Sequence, residues 1–488
     1  MDKRLSDTTV KFTVYIASHN YGKFVEEAIE SVLRQTVGDW ELLLINDNST
    51  DNTKEILERY SGDERIKIFH TEGIGLHKVC NLALKEAKGR YIIRLDGDDI
   101  FDENILLVLG NILDTNNKAA IAFPDYYLID EFGKIFGEEK LKRIYEKNHI
   151  NDAPPNGACT LFRTKVLREV GGYSDELKAQ DGYYVWNKIV PKYKCLNVNL
   201  PLFYYRRHGA NLTEKSHKIF EARRQIKRET IITCLEDLKP IIAVIPCRKN
   251  YDFTPNVWNQ RFDSPFTKLG SGKTLLENAI EKCLASSILD YVVVACDNLE
   301  AIDTVRKYDD KRLVFIERTT EDTIRSRSIV PLLERITAQL DPEEKGISIM
   351  CYAQSPFIQT HTIEEALFTL VINEADSCFG VEEVSRSIYR KAPYGLEQLN
   401  APTGVSTDYQ KIFIESRTVL AARNKNFSTG SLTGPAIVHF VVSEDETYFI
   451  DCEESLEIAW LIASRRRVSS NIKALDKQAL EEKSANRG

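Results

Sequence analysis

The chain has 488 residues, 43% of them hydrophobic and 28% charged, with a formal net charge of −8. That balance excludes a disordered chain, and its acidity argues against a nucleic-acid partner. No apolar run approaches the roughly 18 residues needed to span a bilayer and no basic stretch leading into an apolar one opens the chain, so a cytoplasmic location without a transmembrane segment is expected.

The first element is the apolar run Thr13-Val-Tyr-Ile-Ala17, read as a strand, followed by the polar Ser18-His-Asn-Tyr21. Phe24, Ala28, Ile29, Val32 and Leu33 then recur at near-helical spacing. Trp40 to Ile45 reads as a strand, and the polar loop Asn46 to Thr53 supplies helix caps. A helix from Thr53 to Tyr60 leads to the strand Ile66-Lys-Ile-Phe69, and a helix from Val79 to Lys88 ends at Gly89, expected as its C-cap. Next come Arg90-Tyr-Ile-Ile and Arg94-Leu-Asp-Gly-Asp-Asp99, which put three carboxylates in four residues at a strand end. Such acids repel one another unless a cation joins them. Asp96 and Asp98 project to one side of an extended backbone, a geometry suited to one Mg²⁺ or Mn²⁺. A plain acidic turn is the alternative. Ile100 to Ile105 reads as the start of a helix.

Strand and helix alternate throughout this stretch, which predicts a doubly wound, mostly parallel α/β sheet with ligands beyond the carboxyl ends of its strands. From Asn211 to Asp237 the chain is polar and helix-compatible, a closing helix and linker that Lys239-Pro240 ends. The alternation then restarts. Ile241 to Ile245, Tyr291 to Ala295, Leu313 to Ile316 and Ile347 to Tyr352 read as strands, and Lys273 to Ala285 as an amphipathic helix. Two α/β nucleotide-binding domains are therefore expected, over residues 1–237 and 238–488, with no repeat visible at the residue level. The ten cysteines are scattered without close pairs and read as reduced core residues, implying neither zinc nor disulfides. The charged stretch Ser469 to Gly488 is expected to fray.

The first half resembles the family 2 glycosyltransferases of the GT-A fold over about residues 11–215. The resemblance rests on motifs in the family's order: Ala17-Ser-His-Asn20, Ser31-Val-Leu-Arg-Gln-Thr36 with Ile45 to Thr53, Asp96-Gly-Asp98, Gly171-Gly-Tyr-Ser-Asp175 followed by Gln180-Asp181, and Tyr205-Arg-Arg-His208. It implies that Ala17, His19, Asp47, Asp96 and Gly97 meet the donor nucleotide, with Asp47 accepting from the base. Asp96 would hold ribose or metal, and Asp98 the metal. Asp181 would be the general base toward an acceptor hydroxyl. Arg206, Arg207 or His208 would neutralise the leaving diphosphate. In-line attack would invert the anomeric centre. Read without the resemblance, Asp47 is a helix cap, Asp181 a surface acid and His208 a surface histidine. Two departures, His19 for an aromatic and Asn46 for an acid, bear on nucleotide preference.

The second half resembles the CTP-dependent sugar-acid cytidylyltransferases over about residues 240–466. The matching residues are Ala243 to Arg248, Gly272 to Glu277, Tyr291 to Asp297, Gln354 to Phe357, Ala375 to Val381 and Phe449 to Leu456. The resemblance implies that Arg248, Lys249, Arg261, Lys268 and Gln354 bind CTP and that Asp451 holds Mg²⁺. Three features depart from the family. The loop from Cys247 to Leu269 has no glycine to let backbone N–H groups approach phosphate. Phe449-Ile-Asp451 offers one acid where the family often has two, and the Gln354 motif has none.

Together these readings describe a bifunctional enzyme of surface-glycan assembly, using a nucleotide sugar with a glycan acceptor and CTP with a sugar acid. The first domain's donor is not expected to be the second's product, because an Asp-x-Asp metal serves a diphosphate leaving group and a CMP-sugar leaves as a monophosphate. The rival is a single-activity glycosyltransferase whose C-terminal half is a docking or scaffolding module. Sugar, acceptor and oligomeric state are left open.

Overall fold

The computed structural model describes residues 10–141, 158–176, 181–208, 216–248, 265–269, 272–319, 322, 328–384, 386–400, 412–452 and 454–465, with backbone alone for 181 and 216–220. It divides into two compact units, Met1–Thr230 and Ile231–Gly488. The charged tail Ser469 to Gly488 lies outside the described residues.

The first unit is built on β1 (Phe12–Ser18), β2 (Trp40–Asp47), β3 (Ile66–Thr71) and β4 (Tyr91–Asp96), paired in parallel in the order β3-β2-β1-β4. Every residue of β1 and β2 is buried, as expected of strands covered on both faces. Alternate residues feed two cores. Phe12, Val14 and Ile16 pack with α1 (Val25–Leu33) and α4 (Ile105–Thr115). Tyr15 and Ala17 pack with α3 (Leu76–Glu86) and α6 (Asp181–Ile189). Between these, α2 (Thr53–Glu58) links β2 to β3.

Past β4 the sheet becomes mixed. β5 (Ile100–Phe101), β6 (Ala119–Ile129), β7 (Ile135–Glu139), β8 (Leu161–Arg163) and β9 (Lys194–Arg206) extend it in the order β4-β8-β6-β9-β5, with β7 on β6. β8 runs antiparallel to both neighbours, and β9 parallel to β6. The short α5 (Thr164–Glu169) follows β8, and α7 (Ser216–Ile231) closes the unit.

Three local expectations are corrected. Ile100 and Phe101 form β5 rather than a helix start; they pair with Tyr204 and Phe203, and helix begins at Ile105. Gly89 is not a left-handed cap. A side chain there would lie 2.3 Å from the Thr13 amide, so close strand approach requires glycine. The closing helix stops at Ile231, and the next turn, Leu235–Leu238, is a 3₁₀ helix.

The second unit repeats the plan. β10 (Ile241–Pro246), β13 (Tyr291–Cys296), β14 (Leu313–Glu317) and β15 (Ile347–Cys351) are parallel in the order β14-β13-β10-β15. A hairpin of β11 (Lys268–Leu269) and β12 (Lys273–Thr274) precedes α8 (Leu275–Leu284). Thr274 and Glu277 form a reciprocal capping box there, so α8 starts two residues later than expected. α9 (Glu300–Val305), α10 (Val330–Leu340) and α11 (Thr360–Ile372) connect the strands, and alternate β10 residues again feed two cores. β16 (Ser377–Val384), β19 (Ile412–Arg423) and β20 (Ile437–Val441) complete the order β15-β19-β16-β20, and β17 (Tyr389–Ala392) and β18 (Gly395–Gln398) form a separate hairpin. None of the ten cysteines is disulfide-bonded, and eight are buried.

Candidate functional site

In the first unit the polar residues gather where β1, β2 and β4 end. Register places Ala17 between Ile45 and Asp96, and Ser18 beside Asn46. Gly97 passes beneath Tyr21 and Ser18: an added Cβ would lie 3.0 Å from the Tyr21 ring and 3.1 Å from the Ser18 hydroxyl. Only glycine lets the acidic turn approach this closely. Arg94, itself buried, pairs with Asp96 at 2.9 Å, leaving the Asp96 side chain 27% exposed. Asp98 is 6% exposed and sits 2.9 Å from Nε2 of His208, whose ring packs on Phe24.

Asp99, which the sequence reading did not select, is fully buried. Burial, then the charges of Asp98 and Asp96, push its carboxyl well above the usual range. One oxygen accepts from the Arg206 amide at 2.9 Å; the other, like the Ser18 hydroxyl, is buried without a partner.

Arg206 is placed otherwise than expected. It is 1% exposed, and its guanidinium faces inward rather than toward a ligand. Nε donates to the Asp98 carbonyl at 2.9 Å, one terminal nitrogen to Glu27 at 2.6 Å, and the other to the Asp130 and Glu131 carbonyls, with Phe24 beneath the group. It fastens the Asp98 turn to α1 and to the turn after β6. Of the three basic residues expected at the diphosphate, His208 reaches the acids, and Arg207 leans on Tyr205.

Asp47 is also largely engaged within the chain. Its carboxylate accepts from the Thr71 hydroxyl at 2.6 Å and from the Ile74 and Gly75 amides at 2.7 and 2.8 Å. Burial opposes its charge, but these hydrogen bonds prevail and hold the carboxyl below its ordinary value. It shapes the loop before α3 rather than capping α2, where Asp51 bonds the Thr53 amide and hydroxyl instead. His19 is exposed and donates from Nδ1 to the Asp47 carbonyl at 2.6 Å.

Asp181 is the first residue of α6, and its side chain lies outside the described residues, as does Gln180. The helix is anchored by Val185, Trp186 and Ile189 in the core. The preceding turn is fixed from α3. Asn81 donates to the Tyr173 carbonyl and accepts from the Tyr173 amide, and Gly172 has φ +64 with no room for a side chain beside Asn81.

The donor set fits a divalent cation held jointly with a ligand's phosphates. Asp96 and Asp98 supply hard oxygen donors beside the orphaned Asp99 oxygen. Among the described residues no three His, Cys, Asp or Glu gather to hold an ion unaided.

In the second unit Arg248 follows β10 and is half-buried. Beside it stands Arg318, at the end of β14 and 6% exposed, another residue the sequence reading missed. Arg318 donates to the Cys247 and Asp322 carbonyls, and its Nε is buried without a partner. Burial and then Arg248 lower its pKa against the opposing charges of Asp297 and Asp322, so two cations share one strand-end corner with two acids. Lys268 is exposed in β11, whereas Lys249 and Arg261 lie outside the described residues. Gln354 is buried past β15, and its carbonyl accepts from the Ile450 amide at 2.9 Å, drawing the exposed Asp451 to the same edge. Arg94 and Arg206 lie in strands and Asp99 in the turn after β4, and nothing local distinguishes a buried guanidinium from a ligand-facing one.

Comparison with known proteins divides the chain in the same way. Residues 13–171 match the model of Glycosyl transferase family 2, and residues 265–429 that of Cytidylyltransferase. The N-terminal half thus carries a glycosyltransferase domain and the C-terminal half a cytidylyltransferase domain. An uncharacterized glycosyltransferase of Rickettsia bellii is 36% identical over 207 residues, 42% of this chain and 30% of that protein. One from Haemophilus influenzae is 29% identical over 250 residues, 48% of this chain and 77% of that protein. The chondroitin synthase of Pasteurella multocida is 28% identical over 217 residues, 42% of this chain and 21% of the synthase. The chain spans about a third of the length of the relatives it matches in Rickettsia felis, Rickettsia conorii and Rickettsia bellii. Among solved structures, S. aureus TarS 1-349 in complex with UDP-GlcNAc aligns with a TM-score of 0.39 at 20% identity, covering 47% of this chain and 68% of that one.

Proposed function

We propose that the first unit transfers a sugar from a nucleoside-diphosphate donor to a hydroxyl of a glycan acceptor, with inversion, and that the second activates a sugar acid with CTP. The observation that carries the first part is the Asp96–Asp99 turn at the junction of β1 and β4, with His208 closing on Asp98 at 2.9 Å. Asp96 and Asp98 would hold Mg²⁺ or Mn²⁺, which when bound offsets charge developing on the leaving diphosphate. Gly97 and Ala17 leave the strand ends open to the nucleotide. Asp47 keeps the loop before α3 in shape for the base. Asp181 takes the proton from the acceptor hydroxyl. His208 exchanges its bond to Asp98 for one to the diphosphate.

The second part is supported by the crowding of Arg248 and Arg318, two cations that a triphosphate would reconcile. Lys249, Arg261 and Lys268 join them as proposed CTP contacts, with Gln354 and Asp451 at the opposite side. One observation favours the docking-module alternative for this unit: the loop after β15 reads Ala353-Gln-Ser355, without an acid. Ten cysteines without a disulfide suit a reducing compartment, and a cytoplasmic location is proposed. No helix among the described residues is long and apolar enough to cross a membrane.

The test is incubation of the whole chain with a panel of nucleoside-diphosphate sugars, with and without EDTA, and separately with CTP, Mg²⁺ and sugar acids. Sugar release that EDTA abolishes and pyrophosphate release that Arg248→Ala and Asp451→Ala each diminish are expected. Full donor turnover in EDTA sinks the metal assignment. No heat on titrating millimolar CTP leaves a single-activity transferase.

A further inference from the structure

The far half of the first unit's sheet carries a row of side chains outside the acid turn. At one level across β7, β6, β9 and β5 stand Glu138, Tyr127, Tyr204 and Ile100, each paired in register with the next. Residues paired in this way point to one face. Their neighbours Tyr126, Phe203 and Tyr205 point to the other, into the core shared with α1 and α4. The rings of Tyr127 and Tyr204 stack, with centroids 5.5 Å apart and 27° between their planes. Both residues are half-buried, and neither hydroxyl has a hydrogen-bond partner among the described residues. Glu138 is exposed at the outer end of the row. The register of β6 shifts on β9 just before Tyr127 and on β7 just after Leu128. Such bulges re-aim side chains and gather beside active sites.

The row lies at the reacting end of the sheet. Ile100 follows Asp99 directly, so the acid turn abuts the row. α6 covers the same face, where Trp186 meets Phe123 of β6 edge-on at 6.0 Å. Soon after Ile189 ends α6, Lys194 opens β9 opposite Ala119, the first residue of β6. The helix therefore runs back toward the carboxyl ends of β6 and β9. Asp181 begins it, about 7 Å beyond Trp186 at helical rise, and Tyr127 lies about 13 Å beyond Phe123 at strand rise. A ligand whose hydroxyl is at Asp181 thus meets the tyrosine pair with its next portion. The negative faces of stacked aromatic rings suit the C–H face of a pyranose, and free phenols and a carboxylate suit its hydroxyls. A nucleotide base stacks as well, but the donor base is assigned to Asp47 of β2, four strands from β6 in the order β2-β1-β4-β8-β6, or about 19 Å at ordinary strand spacing.

We propose that Tyr127 and Tyr204 form a stacking platform for a pyranose ring of the acceptor glycan, with Glu138 accepting a hydrogen bond from a hydroxyl of that ring. The platform selects an acceptor that extends past its reacting sugar. This rests on the reading of the first unit as a transferase from a nucleoside-diphosphate donor to a glycan.

The whole chain is assayed with a nucleoside-diphosphate sugar that it turns over, against p-nitrophenyl pyranosides of glucose, galactose, N-acetylglucosamine and glucuronate and the matching disaccharides. At least one glycoside is expected to accelerate donor turnover, with the disaccharide binding more tightly than its monosaccharide. Tyr127→Leu and Tyr204→Leu keep apolar bulk and remove the platform. Each should raise that acceptor's KM roughly tenfold, the size of one stacking interaction, with donor KM unchanged. Tyr127→Phe and Tyr204→Phe should keep most of the affinity. Glu138→Gln, exposed and clear of the core, should raise the same KM roughly threefold. Wild-type acceptor KM in the leucine variants overturns the proposal. So does loss of donor and acceptor affinity together in those variants with Glu138→Gln unchanged, which marks the pair as packing of the sheet. A wild type that turns over the donor but is accelerated by no glycoside also overturns it and leaves the donor reading standing. A wild type that turns over no nucleoside-diphosphate sugar removes the reading of the unit and this proposal with it.

Discussion

The two units are the same sheet equipped differently. With the seven principal strands of each numbered in chain order, both read 3-2-1-4-6-5-7, the sixth antiparallel to its neighbours and the seventh parallel to the fifth. The contrast lies at the end of the fourth strand. The first unit places Asp96, Asp98 and Asp99 there; the second has Ala353, Gln354 and Ser355. At the first and third strand ends the second unit instead carries Arg248 and Arg318. One topology thus gathers acids at the strand ends of one half and arginines at those of the other. The scaffold supplies the crevice and the strand-end residues set the chemistry.

The largest effect should follow from removing the acids that distinguish the first unit. Asp98→Ala is expected to lower sugar transfer roughly 10²–10³-fold, with circular dichroism unchanged and CTP binding by the second unit intact. Loss of both activities together would mean that the halves are not independently equipped.

Asp181→Asn keeps shape and removes a proton acceptor. It should lower kcat by roughly 10²-fold with donor KM little changed. A mutant with near-normal kcat would move the base elsewhere.

Arg206 tests whether the acidic turn is held from behind. Arg206→Ala takes a 1%-exposed cation away from Glu27 and three carbonyls. A loss of about 3 kcal/mol in urea unfolding of the first unit is expected, as for a broken buried network. Unchanged unfolding would show that the turn stands without it.

The smallest effect concerns acid stability of the second unit. Burial works against the charge of Glu446, but hydrogen bonds from His361, Thr362 and the Gln359 amide outweigh it and hold the carboxyl below its ordinary value. A depressed carboxyl stabilises the fold above the unfolded value, about 4.3, and that contribution fades as pH falls through the folded value. Glu446→Gln should therefore flatten the acid limb of the second unit's unfolding curve while leaving the first unit's limb as it was. An unchanged slope rejects the assignment.

The sequence by itself determined the alternation of strand and helix, because two-sided burial writes continuous apolar runs such as Phe12 to Ala17 and Ile241 to Ile245. It also located the acids at Asp96 and Asp98, since strand ends are marked by the change from apolar to polar residues, and the family resemblance pointed to Arg248. Only the tertiary structure decided what those residues face. Arg206 and His208 are two positions apart and both rest on Phe24, yet the guanidinium is turned to Glu27 while the imidazole reaches the Asp98 carboxylate, because β9 ends at Arg206 and the chain leaves strand geometry there. Arg318 and Tyr204 carry no local signal. One is defined by a neighbour seventy residues earlier and the other by a ring on a distant strand. The common strand order of the two halves was equally invisible, because pairing between β15 and β19 or β4 and β8 depends on hydrogen bonds of the backbone, which side-chain sequence does not spell out.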